Sequence, residues 1–316
     1  MLLNNIFYTL KPFIPRQLQI FLRRQIIQYK RKKYRHIWPI DPKAGTPPEG
    51  WQGWPDNKKF ALVLSHDVDT QNGHDTCYQL MEIEERLGFR SSFNFVPERY
   101  TVSKTLLKDI TDRGFQVCLH GLKHDGKLFC SRKIFQRRAI RINQYIREWG
   151  VTGFTTPSML RNPEWIYELN VTHCTSTFDT DPFEPQPHGI GTIYPFYIHN
   201  RSRGNGVVEL PYTLPQDFTL FILMKEKTID IWKKKLDWIA QYGGMALLNT
   251  HSDYMSFNKD AIGLEEYPAE YYIEFLKYIK STYKDDYYHA LPQDISRLWH
   301  DIASVENGMK STSEGV

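Results

Sequence analysis

The sequence lacks any run of about 20 consecutive apolar residues, the length that a helix needs to cross a bilayer. Prolines stand at positions 12 and 15, where a secretory signal peptide would need an unbroken apolar segment. These absences predict a cytoplasmic protein. With 316 residues, of which 41% are hydrophobic and 14% aromatic, the chain has enough apolar material for one large α/β domain or two small ones.

Cysteine is scarce and scattered. No C-x-x-C spacing occurs, which excludes a zinc ribbon and gives no support to a disulfide framework. We expect reduced thiols that are buried as small hydrophobic side chains. The four residues are Cys77, Cys118, Cys130 and Cys174.

Several common catalytic motifs are also missing. No glycine-rich phosphate loop and no G-x-G-x-x-G segment follows a predicted strand, so nucleotide binding has no support. The G-x-S-x-G motif of serine hydrolases does not occur either.

Acidic residues are absent from positions 1–40, a segment that contains nine lysines and arginines. The remaining residues comprise 31 basic and 36 acidic side chains, so the body of the chain has a net charge of −5. The basic character therefore belongs to an N-terminal extension. A linker rich in Pro, Gly and Trp, residues 38–55, separates this extension from the rest of the chain.

Residues 16–35 predict a basic amphipathic helix. Leu18, Leu22, Ile26 and Tyr29 recur at helical spacing, Phe21 lies beside them, and arginines and lysines fill much of the opposite side. In one interpretation the apolar stripe binds an anionic membrane surface and holds the protein at the inner face of the membrane. In the other, the stripe packs on the main domain and the cations are solvated. No nucleic-acid partner is expected, because no binding fold surrounds the basic run.

From residue 57 onward, predicted strands alternate with amphipathic helices, the rhythm of an α/β fold with a parallel sheet. Seven strand–helix units, the last helix covering roughly 293–304, predict an incomplete or distorted barrel. A polar insert with paired strands, about 191–214, interrupts the pattern. The predicted strands are Phe60–Leu64, Ser92–Val96, Phe115–Leu119, Gly150–Phe154, Thr172–Thr177, Met245–Asn249 and Tyr287–Leu291.

The predicted organisation is an extension and linker at 1–55, a catalytic barrel at 56–304, and a disordered tail at 305–316. The tail prediction rests on its small and polar residues.

The first predicted strand ends in Ser65-His66-Asp67-Val68-Asp69, which places two carboxylates one residue apart. The carboxyl ends of parallel strands carry the chemistry of many α/β folds, so both aspartates are expected at the rim of a pocket. Taken alone, the pair is equally typical of an Asx turn.

His120 and His124 follow another predicted strand, four residues apart. On a helical turn this spacing brings both imidazoles to one face, as two ligands of one metal ion require. With Asp69 they form a His-His-carboxylate set that leaves coordination positions open for water and substrate. Without Asp69, a surface pair of histidines would be the simpler interpretation.

Four segments in this order resemble the polysaccharide deacetylase family, the NodB homology domain of carbohydrate esterase family four. They are residues 65–69, His120 to His124, Gly153-Phe154-Thr155-Thr156-Pro157 and Leu247-Leu248-Asn249-Thr250-His251. The resemblance covers roughly residues 57–300. It implies a distorted (β/α)7 barrel and a metal-dependent hydrolase of N-acetyl or O-acetyl groups on sugars.

Carried over residue by residue, the resemblance makes Asp67 the general base and His251 the general acid. Asp69, His120 and His124 become ligands of one divalent metal ion, with zinc the first choice and cobalt, nickel or manganese as alternatives. A backbone N–H near Ser158, after Pro157, would bind the oxyanion. Asp179 or Asp181 is the candidate to orient His251. The Asp181-Pro182 pair is equally typical of the start of a turn.

One position departs from the family pattern. The family usually has an arginine two residues before the motif proline, paired with the catalytic aspartate, and Thr155 occupies that position here. Threonine supplies no positive charge, and Arg161 is the candidate replacement in the substrate pocket.

The expected substrate is an acetylated sugar of a cell-surface polysaccharide or of its lipid-linked precursor. Two alternatives remain open on the same barrel: a catalytically weak carbohydrate-binding or scaffold protein, and an amidohydrolase of small cyclic amides or ureides.

Overall fold

The alternating pattern folds into a curled parallel sheet covered by helices. The structure is a computed structural model that describes residues 14–200, 205–258 and 262–313. Its helices are α1 Arg16–Tyr34, α2 Gln71–Leu87, α3 Lys104–Asp112, α4 Arg132–Trp149, α5 Asp230–Tyr242, α6 Glu270–Tyr283 and α7 Pro292–Ser313. Its strands are β1 Phe60–Val68, β2 Ser92–Phe95, β3 Gln116–His120, β4 Gly153–Thr155, β5 His173–Cys174, β6 Phe196–Asn200, β7 Asn205–Glu209, β8 Met245–His251, β9 Met255–Ser256, β10 Tyr267–Pro268 and β11 Tyr287–His289.

The sheet has the topology of a distorted barrel. β8 pairs with β1, and the sheet continues in the order β1, β2, β3, β4, β5, β7, all parallel, with β6 antiparallel to β7. The backbone N–H groups of Thr213 and Leu214 donate to the Leu247 carbonyl of β8, which links the far part of the sheet back to its beginning. The predicted fold class is confirmed.

Strand β1 lies at the centre of this arrangement, and all nine of its residues are buried. Because side chains alternate along a strand, Phe60, Leu62 and Leu64 pack against the surrounding helices, whereas Ala61 and Val63 face a second cluster inside the barrel. The strand runs four residues beyond the predicted end at Leu64, because residues 65–68 pair with β2 and residues up to 67 pair with β8.

The last helix is longer than the sequence predicts. α7 runs from Pro292 to Ser313, so it continues through most of the 305–316 segment that was predicted to be disordered. The disorder of residues 305–316 stays a prediction.

Helix α1 forms as predicted but docks by the unexpected face. It buries Gln19, Ile20 and Ile27 against the barrel. Two of its cations donate to backbone carbonyls, Arg24 to Ile222 at 2.9 and 3.0 Å and Lys30 to Pro182 at 2.8 Å.

The outward stripe of α1, defined here as Leu18, Phe21, Leu22, Ile26 and Tyr29, is between 46% and 70% exposed. The expectation that this stripe packs on the barrel while the cations are solvated is therefore wrong. No helix in the described part of the chain has the length and apolar character to cross a bilayer.

Candidate metal centre and active site

The carboxyl ends of β1 and β3 bring the predicted metal ligands together. Asp69 Oδ1 lies 3.3 Å from His120 Nε2 and 3.0 Å from His124 Nε2. The three side chains form a cluster in which the ligand atoms all lie within 4.8 Å of one another. Asp69 and His120 are buried, and the side chain of His124 is 21% exposed.

Several observations show that this cluster suits a divalent ion. Two imidazole nitrogens and a carboxylate oxygen are ligands that zinc prefers, and atoms bound to a tetrahedral zinc lie about 3.3 Å apart. Asp69 Oδ1 is buried and makes no hydrogen bond of acceptable geometry within the described residues. Burial opposes ionisation, but His124 and His120 hold the pKa of Asp69 well below its usual range.

The loop between the two histidines differs from the expected helical turn. Residues 121–126 form irregular bends, and His124 adopts a left-handed conformation with φ of 52°. Gly121 has φ of +65°, and a Cβ atom there would lie 2.7 Å from Cδ of Pro157. The loop therefore depends on a glycine at 121. It brings the two imidazole rings to 5.2 Å, centroid to centroid.

Asp67 is held by two amide side chains. Asn94 Nδ2 donates to Oδ1 at 2.8 Å, and Asn249 Nδ2 donates to Oδ2 at 3.1 Å. Strand register explains both contacts, because Asp67 is the partner of Asn94 on β2, and Asn249 lies two residues before His251, its partner on β8. Two neutral amides thus hold the carboxylate of Asp67, beside which the family pattern has an arginine.

His251 lies at the end of β8 and is oriented by Asp217. Its Nδ1 is 2.8 Å from Asp217 Oδ1, and its backbone N–H donates to Oδ2 at 2.8 Å. Its Nε2 is 3.9 Å from Asp67 Oδ2. Burial opposes protonation, yet the charge and hydrogen bond of Asp217 raise the pKa of His251 to about 10.

The prediction that Asp179 or Asp181 orients His251 is wrong, because Asp217 makes that contact. Asp179 forms a buried ion pair with Lys235 of α5, with 2.6 Å between Oδ2 and Nζ. Asp181 Oδ1 accepts from the backbone N–H of Phe183 at 2.8 Å and so stabilises a local turn.

Thr155 and Arg161 also differ from expectation. Thr155 is 2% exposed and its hydroxyl pairs with that of Thr175, which places it behind the pocket. Arg161 donates to the His188 carbonyl at 2.5 Å and lines a different cavity together with Glu209. The prediction that Arg161 replaces the family arginine beside Asp67 is therefore wrong.

The segment after β4 forms part of the pocket wall. Ser158 and Met159 both have positive φ, 57° and 55°, which is uncommon for residues with a side chain and indicates local backbone strain. Ser158 lines the pocket, while Pro157 packs on Gly121. Ser158 thus lines the same cavity as the predicted metal ligands.

One cavity of about 150 Å³ is lined by the predicted metal ligands together with Asp67, Ser158 and His251. Arg16 and Arg23 of α1, Glu184 and Tyr254 also line it. Glu184 is buried and accepts a hydrogen bond from Gln216 at 2.6 Å. Burial and the nearby Asp181 carboxylate raise the pKa of Glu184 to about 8.

Asn94, Asn249, Asp217 and the α1 arginines belong to this site but were not predicted from the sequence. Asn249 lies within one of the four motif segments, and Asn94 stands in the middle of the predicted strand Ser92–Val96, so a register prediction would have found both. Asp217 lies in an irregular segment before a buried π-helical turn, Phe218–Leu223, and no local signal marks it.

Comparison with known proteins gives support at the level of structure. No family model and no curated protein matches the chain in sequence. A structure from Mycobacterium smegmatis, provisionally described as a polysaccharide deacetylase, has a TM-score of 0.60 at 16% identity, over 81% of this chain and 96% of that one. PuuE allantoinase has a TM-score of 0.59 at 13% identity, over 84% of this chain and 98% of that one. The predicted resemblance is thus confirmed in structure: this chain has the distorted (β/α) barrel fold of the polysaccharide deacetylases.

Proposed function

We propose that the protein is a metal-dependent hydrolase that removes acetyl groups from a sugar. The observation that carries the proposal is the meeting of the Asp69-His120-His124 cluster with Asp67 and His251. Asp67 Oδ2 lies 3.6 Å from His120 Nε2 and 3.9 Å from His251 Nε2. One small acyl group can therefore contact the metal ligands, a base and an acid at once.

The roles follow from these positions. A divalent ion held by Asp69, His120 and His124 would polarise the acetyl carbonyl and lower the pKa of a bound water. Asp67 takes a proton from the attacking water, and the two amides on its oxygens fix the carboxylate for that step. His251 gives a proton from Nε2 to the leaving nitrogen or oxygen. A backbone N–H near Ser158 is the candidate donor to the oxyanion.

Metal content tests the ligand assignment. Purified protein should hold about one divalent ion per chain, zinc before cobalt, nickel or manganese, because two imidazoles and a carboxylate on strand ends form a prepared site. His120→Ala and His124→Ala should lose the ion. His289→Ala, at a half-buried histidine on β11, is the matched control and should retain it. Equal metal in all four proteins would contradict the assignment.

Acetate release tests the two proton-transfer roles. Asp67→Asn and His251→Ala should keep the metal and lose turnover about 10²–10⁴-fold, the usual contribution of a positioned acid or base. The substrates are N-acetylated and O-acetylated sugars of the kinds found in cell-surface polysaccharides and their lipid-linked precursors. A variant that keeps wild-type turnover removes that residue from the mechanism.

A second candidate activity is hydrolysis of a small cyclic ureide. The TM-score with PuuE allantoinase is close to that with the polysaccharide deacetylase structure, and this similarity supports the second candidate. Turnover of allantoin without acetate release from any sugar would favour this activity over the first. Metal binding without either activity would favour a catalytically weak carbohydrate-binding protein.

We further propose that the outward stripe of α1 binds an anionic membrane surface. Ile262 and Leu264, each 48% exposed, belong to a loop that Arg16 ties to α1 through Glu265. Lys32, Lys33 and Arg35 lie at the end of the helix, where they can meet lipid phosphates. The protein would then be peripheral at the inner face of the membrane.

Co-sedimentation with vesicles of phosphatidylglycerol and phosphatidylcholine tests this surface. Binding should be strong at low salt, weaken as salt screens the charges, and fall when Leu22 and Ile26 are replaced by serine. Ile140→Ser is the matched control, because Ile140 is 71% exposed on α4, away from α1. Full-length protein that stays in the supernatant at low salt would exclude the membrane role.

A further inference from the structure

Two cations from outside the barrel line the catalytic pocket. Arg16 and Arg23 both belong to α1, and they lie one heptad apart, which is about 10 Å along a helix axis. The guanidinium carbon of Arg23 is 4.7 Å from the centroid of the Phe218 ring. Arg16 donates to Glu265, with 2.6 Å between Nε and Oε1. Stacking and ion pairing thus hold both side chains at the pocket wall.

A row of aromatic rings connects Arg23 with His251. The Phe218 ring contacts Tyr254 at 4.8 Å, and Tyr254 contacts His251 at 4.9 Å, centroid to centroid. The row therefore leads from the proposed acid to Arg23. His251 also adjoins Asp67, whose Oδ2 lies 3.9 Å from His251 Nε2 and 3.6 Å from His120 Nε2.

This placement identifies the part of the substrate that the arginines meet. In deacetylation the acetyl carbon faces the metal and the base, while the leaving nitrogen or oxygen stays on the sugar. Because His251 protonates that leaving atom, the sugar lies beside His251. Substituents of the sugar therefore extend toward Phe218 and the α1 arginines.

Arginine suits an anionic substituent. Its planar group donates two parallel hydrogen bonds to a phosphate, and stacking on an aromatic ring leaves the donors at its edge directed sideways. Glu184, which lines the same pocket, has a pKa raised to about 8, so it is mostly neutral at pH 7 and does not repel an anion. The charge of Arg16 is partly offset by Glu265, and Arg23 is the arginine that stacks on the row of rings leading to His251.

Resting on the proposed function, we propose that Arg23, assisted by Arg16, binds a phosphate group carried by the acetylated sugar. The preferred substrate class is then a sugar phosphate or sugar diphosphate, in soluble or lipid-linked form, in preference to a neutral glycan. Arg23 is a specificity-determining residue of the site, and the N-terminal extension contributes directly to substrate selection.

Two acetylated sugars that differ only in charge test the proposal: N-acetylglucosamine and N-acetylglucosamine 1-phosphate. Full-length, metal-loaded Arg23→Gln should raise KM for the phosphorylated sugar about 10–100-fold with little change in kcat, as expected for one charge-assisted contact. Its kcat/KM for the neutral sugar should fall much less than its kcat/KM for the phosphorylated sugar. Arg23→Lys should recover part of the loss.

Arg24→Gln is the matched control on the same helix. Arg24 docks α1 through the Ile222 carbonyl and does not line the pocket, so this variant reports loosening of the helix alone. It should affect both sugars equally or not at all. An equal loss on both sugars in Arg23→Gln, or the same selective loss in Arg24→Gln, would overturn the proposal.

Calorimetry with inorganic pyrophosphate gives a readout that does not need turnover. Wild-type protein should bind it, and Arg23→Gln should bind it about tenfold more weakly, whereas binding through the metal alone would be unchanged by the substitution. If no sugar releases acetate, the deacetylase proposal fails while this measurement still decides the role of Arg23. Vesicle binding should be the same in Arg23→Gln and wild type, which separates a substrate phosphate from a lipid headgroup.

Discussion

Replacing Asp217 by asparagine is the sharpest test of how the site keeps His251, the proposed general acid, protonated. Asp217 is fully buried and accepts four hydrogen bonds, two from His251, one from the backbone of Phe218 and one from Tyr267. Asparagine preserves the shape but removes the negative charge. It also offers only one oxygen, so one pair of these donors would face an amide NH₂ group.

The size of the effect depends on the pKa of His251. In the metal-free protein Asp217, with smaller contributions from Asp67 and Asp69, raises that pKa from 6.5 to about 10 against the opposing effect of burial. At about 1.4 kcal/mol per pH unit, this net shift means that the folded protein favours the protonated imidazole by on the order of 5 kcal/mol, after the cost of burial. Asp217 is the largest of the raising causes, so asparagine should lower the pKa of His251 by about two units or more.

The assay is the pH dependence of acetate release. The general acid must be protonated, so the alkaline limb of the kcat/KM profile should move about two pH units toward neutral in Asp217→Asn. Turnover should then fall about twofold at pH 8 and about 50-fold at pH 10. An NMR titration of the His251 ring in metal-free protein measures the same pKa without turnover. Tyr267→Phe is the control, because it removes one neutral hydrogen bond to Asp217 and keeps the charge.

Stability gives a second readout with a defined sign. A histidine whose folded pKa is raised stabilises the protein fully below its unfolded pKa near 6.5, and this contribution is lost as pH rises through about 10. Asp217→Asn should therefore destabilise the protein by about 2–4 kcal/mol more at pH 6 than above pH 10. A folded variant whose alkaline limb and ring titration match wild type would refute the reasoning.

Three further changes have outcomes set by burial. Glu184→Gln should leave the stability of the protein near wild type at pH 5 and raise it by a few kcal/mol at pH 8. The reason is that a buried carboxyl whose pKa is raised from 4.5 to about 8 destabilises the wild-type protein as pH rises through this range. Urea unfolding that shows the same difference at both pH values would contradict this. Thr155→Arg should destabilise the protein by about 3 kcal/mol or more in the same assay, since the threonine is 2% exposed and an arginine would overpack the site and bury a charge; an active variant of wild-type stability would show that the pocket accepts the family residue after all. Glu84→Ala should cost about 3–5 kcal/mol, because His66, Ser91 and Tyr272 all hydrogen-bond to this fully buried carboxylate; thermal unfolding within a few degrees of wild type would contradict it.

The sequence was sufficient to predict the metal cluster because parallel strands end at one edge of a sheet. Asp69 and His120 lie at the ends of β1 and β3, which are two strands apart with β2 between them. A carboxylate or an imidazole at the end of an apolar run was therefore enough to place each predicted ligand at this edge, although no contact was known. The same reasoning placed His251 at the end of β8.

Residues outside strand ends could not be placed in this way. Asp217 reaches His251 because residues 213 and 214 bond to β8 and fix the segment after them, a contact between positions more than 30 residues apart. The amides that hold Asp67 in a chain without the family arginine are a similar case. Nothing in the spacing of Asn94 and Asn249 shows that both amides point at one carboxylate until the register is known.

Helix α1 illustrates a different limit of pattern reasoning. Its periodicity identified an amphipathic helix, but the docking alternative that it offered, through the apolar stripe, is not the one observed. The observed interface combines Ile20 and Ile27 with arginine and lysine side chains that bond to backbone carbonyls of the barrel. Long basic side chains have apolar stems, so a basic face can bury well when acceptors are available.

The two faces of α1 can change independently of each other. Positions 16, 20, 23, 24 and 27 touch the barrel or the pocket, whereas 18, 21, 22, 26 and 29 point outward. Under the membrane and substrate proposals, substitutions on the outer positions would alter where the protein resides without altering which sugar it accepts. Substitutions on the inner positions would do the reverse. One helix of 19 residues would then carry two separately adjustable properties, and variation among natural forms of the protein should divide along these two sets of positions.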